Sequence, residues 1–376
     1  MTTITLPKHY LSKPGAINSA GVEIAKRAKS VLIIGSKTPF EKVGPALSKG
    51  LDGNGVSHKF FLHNGYPSIK AAHEIEAQAL ELKADALVSV GGGRIHDVTK
   101  AAGTFASLPV ISIPTQAATC ASWAPVSIIY DDLGVFETPL SNPNSPVFII
   151  ADTDVIASAP PRYLRSGASD ALARWYEQNG HLNKSRTLHS RWLVKQSELI
   201  REFILSEGPG IIDDLEAGIY DPVKVKELIN VNILLTGFFV SPRDDDETQI
   251  GGFAHPFYHK FSVVNELHKS LHGEQIAFFL IAAALYENVP ASELSERLEI
   301  FHALKQPLTF EALGLGGSSL DSKLRAGAKS LLSANDAYGA RITLTEDRIV
   351  DLLHETDRVG SEFLEAKKPR VFGTAV

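Results

Sequence analysis

Short apolar runs alternate with helical stretches through the first 150 residues, and this alternation limits the folds that the chain can adopt. Each run ends at glycine, proline or a polar turn. Strands that alternate with helices of about ten residues are typical of βαβ units and a parallel sheet, which binds ligands at the carboxyl ends of its strands. The predicted strands are 31–34, 59–62, 86–90, 109–113 and 147–150, and the predicted helices are 40–48, 69–82 and 95–105.

The alternation is interrupted once and then ends. Residues 126–130 and 135–139 flank a turn that contains Gly134, which predicts a β-hairpin. After Pro160 and Pro161 the strand pattern disappears and helical periodicity dominates. We therefore expect an α/β amino-terminal Rossmann-like domain over residues 1–159 and an all-α carboxy-terminal domain over residues 160–376. The helices predicted in the second half are 192–205, 222–235, 276–286, 295–304, 321–332 and 346–363.

The composition limits the cellular location and the binding partners that we expect. The formal net charge of -6 argues against nucleic acid or an anionic membrane as the main partner. We expect no membrane span and no signal peptide, because no apolar run approaches about eighteen residues and the start lacks the signal pattern. The single cysteine, Cys120, excludes an intramolecular disulfide and a thiolate metal cage. These features predict a cytoplasmic protein.

Three consecutive glycines follow the predicted strand 86–90 and lead directly into a helix. Glycine lets backbone N–H groups approach a diphosphate closely, and a helix start adds a positive dipole end. We expect Gly91, Gly92 and Gly93 to hold cofactor phosphates; a plain tight turn is the alternative. Asp97, on the same helix, is a further cofactor candidate, although it could simply pair with Lys100 one turn later.

The end of the first predicted strand bears on the type of nucleotide. Ser36 and Lys37 follow it, where an acidic residue would grip a ribose diol. A hydroxyl and a cation tolerate or favour a 2′-phosphate, so the cofactor is NAD or NADP. An ordinary turn at the end of the strand is the alternative.

Four of the thirteen histidines fall within eighteen residues, as the pairs His255 and His259, and His268 and His272. Their i, i+4 spacing would place each pair on one face of a helix. Imidazole suits zinc and iron, and with a carboxylate it can form a three-ligand site with an open position. The spacing does not say which histidines bind. Asp170 is a candidate carboxylate, unless it is simply a first-turn residue of its helix.

The ordered set of motifs resembles the iron- or zinc-dependent alcohol dehydrogenase superfamily, and most closely its glycerol dehydrogenase branch. The resemblance covers essentially the whole chain and implies a dehydroquinate synthase-like architecture, with metal and substrate in the cleft between two domains. The motifs that carry it are 91–100, 113–115, 167–172 and the segments around His255 and His272.

The resemblance also assigns site residues. It implies Asp170, His255 and His272 as metal ligands, and we expect zinc ahead of iron. Other branches have a histidine ligand four residues after the aspartate, where this chain has Arg174. The implied cofactor contacts are Thr115, Gln116, Ala117, Ala118, Val126 and Tyr130.

One departure concerns the substrate. Glycerol dehydrogenases carry an aspartate that contacts the polyol at the position of Cys120. The segment 118–125 is instead similar to a subgroup of hydroxycarboxylate dehydrogenases, which reduce 2-oxo acids. An uncharged residue no longer repels an anionic substrate group. We expect Cys120 and Trp123 at the substrate; a small buried hydrophobe is the alternative for Cys120.

These inferences predict a metal-dependent NAD(P) oxidoreductase that acts on a small alcohol or 2-hydroxy acid, as a homo-oligomer. His259 is the predicted proton relay, with Tyr258 as the alternative. A cyclase or lyase similar to dehydroquinate synthase, which uses NAD transiently, is the alternative function. It would need several basic residues around the metal, and only Arg174 and Lys260 are nearby in the sequence. A non-catalytic nucleotide-binding protein is the third hypothesis.

Overall fold

A computed structural model describes residues 2–177, 187–244, 252–333 and 343–368. Six parallel strands form the main sheet in the order β2-β9-β6-β5-β3-β4, and β7 and β8 form a separate antiparallel hairpin. The strands are β1 (Thr2–Ile4), β2 (His9–Lys13), β3 (Ser30–Gly35), β4 (Ser57–Leu62), β5 (Ala86–Gly91), β6 (Val110–Pro114), β7 (Val126–Tyr130), β8 (Phe136–Ser141), β9 (Phe148–Asp152) and β10 (Pro242–Asp244).

The central strands are apolar along their length because helices cover both faces of the sheet. Side chains alternate between the faces, so Ile33 of β3 packs with α1 and α2, whereas Leu32 packs with α3 and α4. These helices are α1 (Ile17–Ala25), α2 (Lys37–Asp52), α3 (Ile69–Leu82) and α4 (Gly93–Ala106).

All five predicted strands, the three predicted helices of the first half and the hairpin are found. The prediction missed β1, β2, α1 and the short helix Thr153–Ala157. β2 is an edge strand that pairs only with β9, and its sequence, His-Tyr-Leu-Ser-Lys, is only partly apolar. Half-exposed edge strands lack the continuous apolar run by which the central strands are recognised.

The second half is helical, as predicted, apart from the three-residue strand β10, which pairs antiparallel with β1. Within the described residues, no helix has the length and apolar character needed to cross a membrane. The domain boundary at residue 160 stays a prediction. The helices are α5 (Thr153–Ala157), α6 (Arg162–Tyr176), α7 (Leu188–Ser206), α8 (Gly208–Glu216), α9 (Pro222–Asn230), α10 (Thr236–Val240), α11 (Ala254–Lys260), α12 (His272–Tyr286), α13 (Ala291–Ala303), α14 (Leu320–Leu332) and α15 (Glu346–Lys367), with a π-helical turn at Val231–Leu235 and 3-10 turns at Phe261–Val263 and Asn265–Lys269.

The helix α12 forms the centre of this half. Its residues from Gly273 to Ala284 are all buried, as its nearly uninterrupted apolar sequence predicts. It contacts α6, α11, α13 and α15. The first residue of this buried helix is His272, which therefore has a rigid support.

Candidate active site

A cavity of about 940 Å³ lies between the glycine turn that follows β5 and the helices α6, α11 and α12. Most of the predicted site residues line this cavity. The predicted residues that line it are Ser36, Gly92, Gly93, Asp97, Gln116, Ala118, Cys120, Val126, Tyr130, Asp170, His255, His259 and His272. The predicted residues that do not line it are Lys37, Gly91, Thr115, Ala117 and Trp123.

Asp170, His255 and His272 meet on the wall of this cavity. One ligand atom from each lies within 4.8 Å of the other two. The Nε2 atoms of both histidines lie 3.3 Å from Oδ1 of Asp170. Asp170 is in the middle of α6 rather than in its first turn, so the explanation of this carboxylate as a helix-start residue is wrong. The three side chains form a set that can hold a metal ion.

Two glycines allow this convergence by bringing backbones into contact. A Cβ atom on Gly273 would lie 1.9 Å from the carbonyl oxygen of Ser166, so α12 can approach α6 this closely only with glycine there. A Cβ atom on Gly167 would lie 2.0 Å from the carbonyl oxygen of Ala117. The Ser166 hydroxyl also accepts a hydrogen bond from the Gly273 N–H at 3.0 Å. These contacts fix His272 and Asp170 relative to each other.

Glu177 is a site residue that the sequence analysis missed. Its Oε2 accepts the Nδ1 proton of His255 at 2.5 Å, and its Oε1 accepts the backbone N–H groups of Ala254 at 2.6 Å and His255 at 3.1 Å. Burial opposes its charge, but His255 and Arg174 outweigh burial and lower the pKa of this carboxyl. A carboxylate on one imidazole nitrogen leaves the other free for a metal. Its position in the sequence could have identified it, because Glu177 follows Asp170 by two helical turns and so lies on the same side of the helix.

Arg174 lies among these groups. Its Nη2 donates to Oδ1 of Asp170 at 2.7 Å and lies 3.1 Å from Nε2 of His255. Burial alone would raise the pKa of Asp170, but the positive charges of Arg174 and His272 hold it well below its usual range. Asp170 is therefore ionised, which is the form that binds a cation.

The two histidine pairs differ in structure. His255 and His259 share the helix α11 and both line the cavity. The expectation that His268 and His272 share a helix face is wrong, because His268 lies in a 3-10 turn, Leu271 is extended, and α12 begins only at His272. His268 instead bonds the carbonyl oxygen of Ser262 at 2.7 Å.

The predicted proton relay is a buried residue. The ring of His259 packs on Phe136 with centroids 4.4 Å apart. Burial, together with the charges of His255 and other cations, lowers the pKa of His259 well below its ordinary value. The hydroxyl of Tyr258 lies 3.2 Å from that of Tyr130, and its ring stands edge-on to His272. Both candidates thus reach the cavity, and His259 is neutral there.

At the other end of the cavity, the glycine turn leads into α4. A Cβ atom on Gly92 would lie 1.9 Å from Nε2 of Gln116, so a side chain at this position would fill the space beside the helix start. The ion pair that the sequence offered as the alternative role of Asp97 is present, since Lys100 lies 3.0 Å from Asp97. Lys100 also donates to the carbonyl oxygen of Val126, which ties α4 to the hairpin. Asp97 therefore both pairs with Lys100 and faces the cavity.

Three further predicted site residues lie in three different surroundings. Lys37 is 79% exposed and lies 3.9 Å from Glu41 of the same helix. Trp123 is buried and does not line the cavity, and its Nε1 donates to the Ser241 hydroxyl at 3.1 Å; its contact with the substrate stays a prediction. Cys120 lines the cavity, and burial raises the pKa of its thiol to about 12, which keeps it uncharged.

Comparison with known proteins gives consistent relatives. Residues 11–160 match the family model of iron-containing alcohol dehydrogenase. The predicted resemblance to this superfamily is confirmed. A glycerol dehydrogenase of Citrobacter freundii is 26% identical over 370 residues, covering 97% of this chain and 99% of the relative. Hydroxycarboxylate dehydrogenase A of Escherichia coli K12 is also 26% identical, over 91% of this chain and 94% of the relative.

The fold agrees with that of a solved structure. A probable glycerol dehydrogenase from Sinorhizobium meliloti 1021 superposes with a TM-score of 0.85 at 22% identity, over 96% of this chain and 100% of the other. The predicted fold class, a parallel-sheet α/β half followed by a helical half, is therefore confirmed.

Proposed function

We propose that this protein is a metal-dependent NAD(P) oxidoreductase that transfers hydride between a nicotinamide and a small alcohol or 2-hydroxy acid. The observation that carries the proposal is that Asp170, His255 and His272 converge on the same cavity that Gly92 and Gly93 line. One site thus combines a metal-ligating set with a turn suited to phosphates. The names of the relatives, glycerol dehydrogenase and hydroxycarboxylate dehydrogenase A, support the same class of reaction.

The donor set fits a divalent transition metal, and we favour zinc over iron. Two imidazoles and one carboxylate leave a coordination position open, as catalytic zinc sites do. Glu177 holds the Nδ1 proton of His255, so Nε2, which lies 3.3 Å from Oδ1 of Asp170, is the nitrogen that would bind a metal. When bound, the metal supplies a Lewis acid that stabilises negative charge on the substrate oxygen.

The chain's own residues orient the cofactor. Gly92 and Gly93 leave room for a diphosphate beside the positive end of α4. The ion pair of Lys100 with Asp97 and its bond to Val126 keep that helix and the hairpin in fixed positions. We propose that the cofactor also contacts five residues of the cavity lining, namely Ser36, Gln116, Ala118, Val126 and Tyr130.

Proton transfer is assigned to His259. It lies one helical turn after His255 and lines the cavity, and its neutral imidazole can accept a proton through water. Tyr258 serves instead to support the ring of His272 and to meet Tyr130.

Metal titration of variants tests the ligand set. Asp170→Ala and His272→Ala should each lose tight zinc binding and turnover, because each removes one of three ligands. His268→Ala is the matched control, since His268 lies four residues from His272 but bonds a backbone carbonyl. Turnover retained by both ligand variants would contradict the proposal.

A substrate panel tests the reaction. Glycerol oxidation and reduction of 2-oxobutyrate are followed at the nicotinamide absorbance with both cofactors. Turnover of either substrate supports the oxidoreductase. Consumption of a substrate without net change in nicotinamide absorbance would favour the cyclase or lyase.

We further propose that the protein is cytoplasmic and forms a homo-oligomer. Cys120 is the single cysteine and is a free thiol, which suits a reducing compartment. Leu188, Trp192 and Leu199 of α7 are exposed apolar side chains that a second subunit could cover. Light scattering on the purified protein tests the assembly.

A further inference from the structure

Arg174 places a buried guanidinium against the proposed metal site, and the reaction described above gives it no role. The side chain is 12% exposed and lines the cavity. Its Nη2 contacts Asp170 and His255, while its Nε is buried without a hydrogen-bond partner among the described residues. A buried donor that lacks an acceptor is rare in folded proteins and calls for an explanation. A bound ligand could supply the acceptor that this N–H lacks.

The contacts of Arg174 overlap those that a metal would take. A cation held by Asp170, His255 and His272 would bind His255 at Nε2, which lies 3.1 Å from Arg174 Nη2. Nη2 has two N–H groups and one carboxylate partner, Asp170, and Nε has no partner among the described residues, so both atoms could donate to a further acceptor. These two atoms form one edge of the guanidinium, and two parallel N–H donors match the two oxygens of a carboxylate.

The charge of the site points to the same class of ligand. The Asp170 carboxylate accepts from Arg174, and the Glu177 carboxylate accepts from His255. The two carboxylates count as two negative charges against the one positive charge of the Arg174 guanidinium. With a divalent cation bound and both histidines neutral, the centre carries a net charge of plus one. Cys120 on the same wall stays uncharged and adds nothing. A neutral polyol would leave this charge unbalanced, whereas a monocarboxylate would neutralise it.

We propose that Arg174 binds the carboxylate of a 2-hydroxy or 2-oxo acid and thereby selects this substrate class over neutral alcohols. The inference rests on the proposed function and narrows its substrate. The carboxylate pairs with the Nε and Nη2 edge of Arg174, and the adjacent hydroxyl or carbonyl lies toward Asp170, His255 and His272. A neutral alcohol offers Arg174 no charged acceptor.

The test compares Arg174→Met and Arg174→Lys with the wild type. Binding of oxamate, a non-reacting 2-oxo acid mimic, is measured by calorimetry on the zinc-loaded protein with cofactor. Loss of one or two charge-assisted hydrogen bonds should weaken oxamate binding by about 10- to 100-fold in Arg174→Met. Arg174→Lys should recover part of this, because it restores the charge but not the paired donors. Arg358→Met, which removes an exposed arginine on α15, is the matched control.

Kinetics give the second measurement. In Arg174→Met the preference for 2-oxobutyrate over glycerol, taken as the ratio of kcat/KM values, should fall by a similar factor, mainly through KM for the acid. An oxamate affinity within about twofold of wild type, or equal losses for acid and alcohol, would overturn the inference. If Arg174→Met does not fold, the same criteria apply to Arg174→Lys. If no substrate changes the nicotinamide absorbance in the wild type, the proposed function fails, and oxamate binding still decides the role of Arg174.

Discussion

Glu177→Gln tests how the chain prepares His255 for a metal. The wild-type carboxylate accepts three hydrogen bonds, one from His255 Nδ1 and two from the backbone N–H groups of Ala254 and His255. If the glutamine oxygen keeps the two backbone donors, its NH₂ group faces Nδ1. The ring must then offer a lone pair at Nδ1 and carry its proton on Nε2, the atom that faces Asp170. The reversed amide would place NH₂ against two N–H donors.

Either orientation of the glutamine works against metal binding. Loss of an outer-shell carboxylate costs about 10- to 100-fold in metal affinity, which corresponds to about 1.4–2.7 kcal/mol. Zinc affinity is measured by competition with a fluorescent chelator. Glu296→Gln serves as control, because Glu296 is another hydrogen-bonded carboxylate, but it accepts from Tyr176 and Arg201 rather than from a predicted metal ligand. Wild-type zinc affinity in Glu177→Gln, with a normal melting temperature, would refute the reasoning.

Further variants address the remaining parts of the site. Gly92→Ala should weaken NADH binding by about tenfold, because the new methyl group meets Gln116. Fluorescence titration measures the affinity, and an unchanged value would contradict the proposal that the glycine turn holds the cofactor phosphates. Ser36→Asp should shift the preference from NADPH toward NADH, since a carboxylate repels the 2′-phosphate; an unchanged ratio of the two dissociation constants would place Ser36 away from the ribose. Gly273→Ala should cost about 1–3 kcal/mol in the free energy of unfolding, measured with denaturant, because α12 cannot then approach α6. His259→Gln should lower kcat by about 10²-fold with little change in zinc content; wild-type kcat would exclude it as relay.

The sequence predicted the central elements of the fold because burial on both faces leaves an unambiguous apolar run. Leu32 and Ile33 point to opposite faces and are both fully buried, so β3 has no polar alternation. β2 was missed because it lies at the edge of the sheet, is only partly buried and lacks a continuous apolar run. β10 was missed because it is only three residues long.

Prediction of the site was limited in a similar way. The motifs identified Asp170, His255 and His272, and the structure brings them together. Sequence spacing misjudged His268, because Ser270 and Leu271 are extended and interrupt the helix that the i, i+4 spacing assumed. Spacing also does not give the direction of the Trp123 ring, which lies against Phe238. Direction depends on backbone angles that the sequence pattern does not fix.

The protein's own groups balance the negative charges of Asp170 and Glu177. Two ionised carboxylates in a cavity would repel each other and would each prefer to take up a proton. Arg174 lies one helical turn after Asp170, and Glu177 bonds both the ring and the backbone of His255. Each carboxylate therefore has its own counter-group within the protein. A metal held by Asp170 and His255 would compete with Arg174 for these two side chains. Metal binding would therefore leave donors of Arg174 available to the substrate carboxylate.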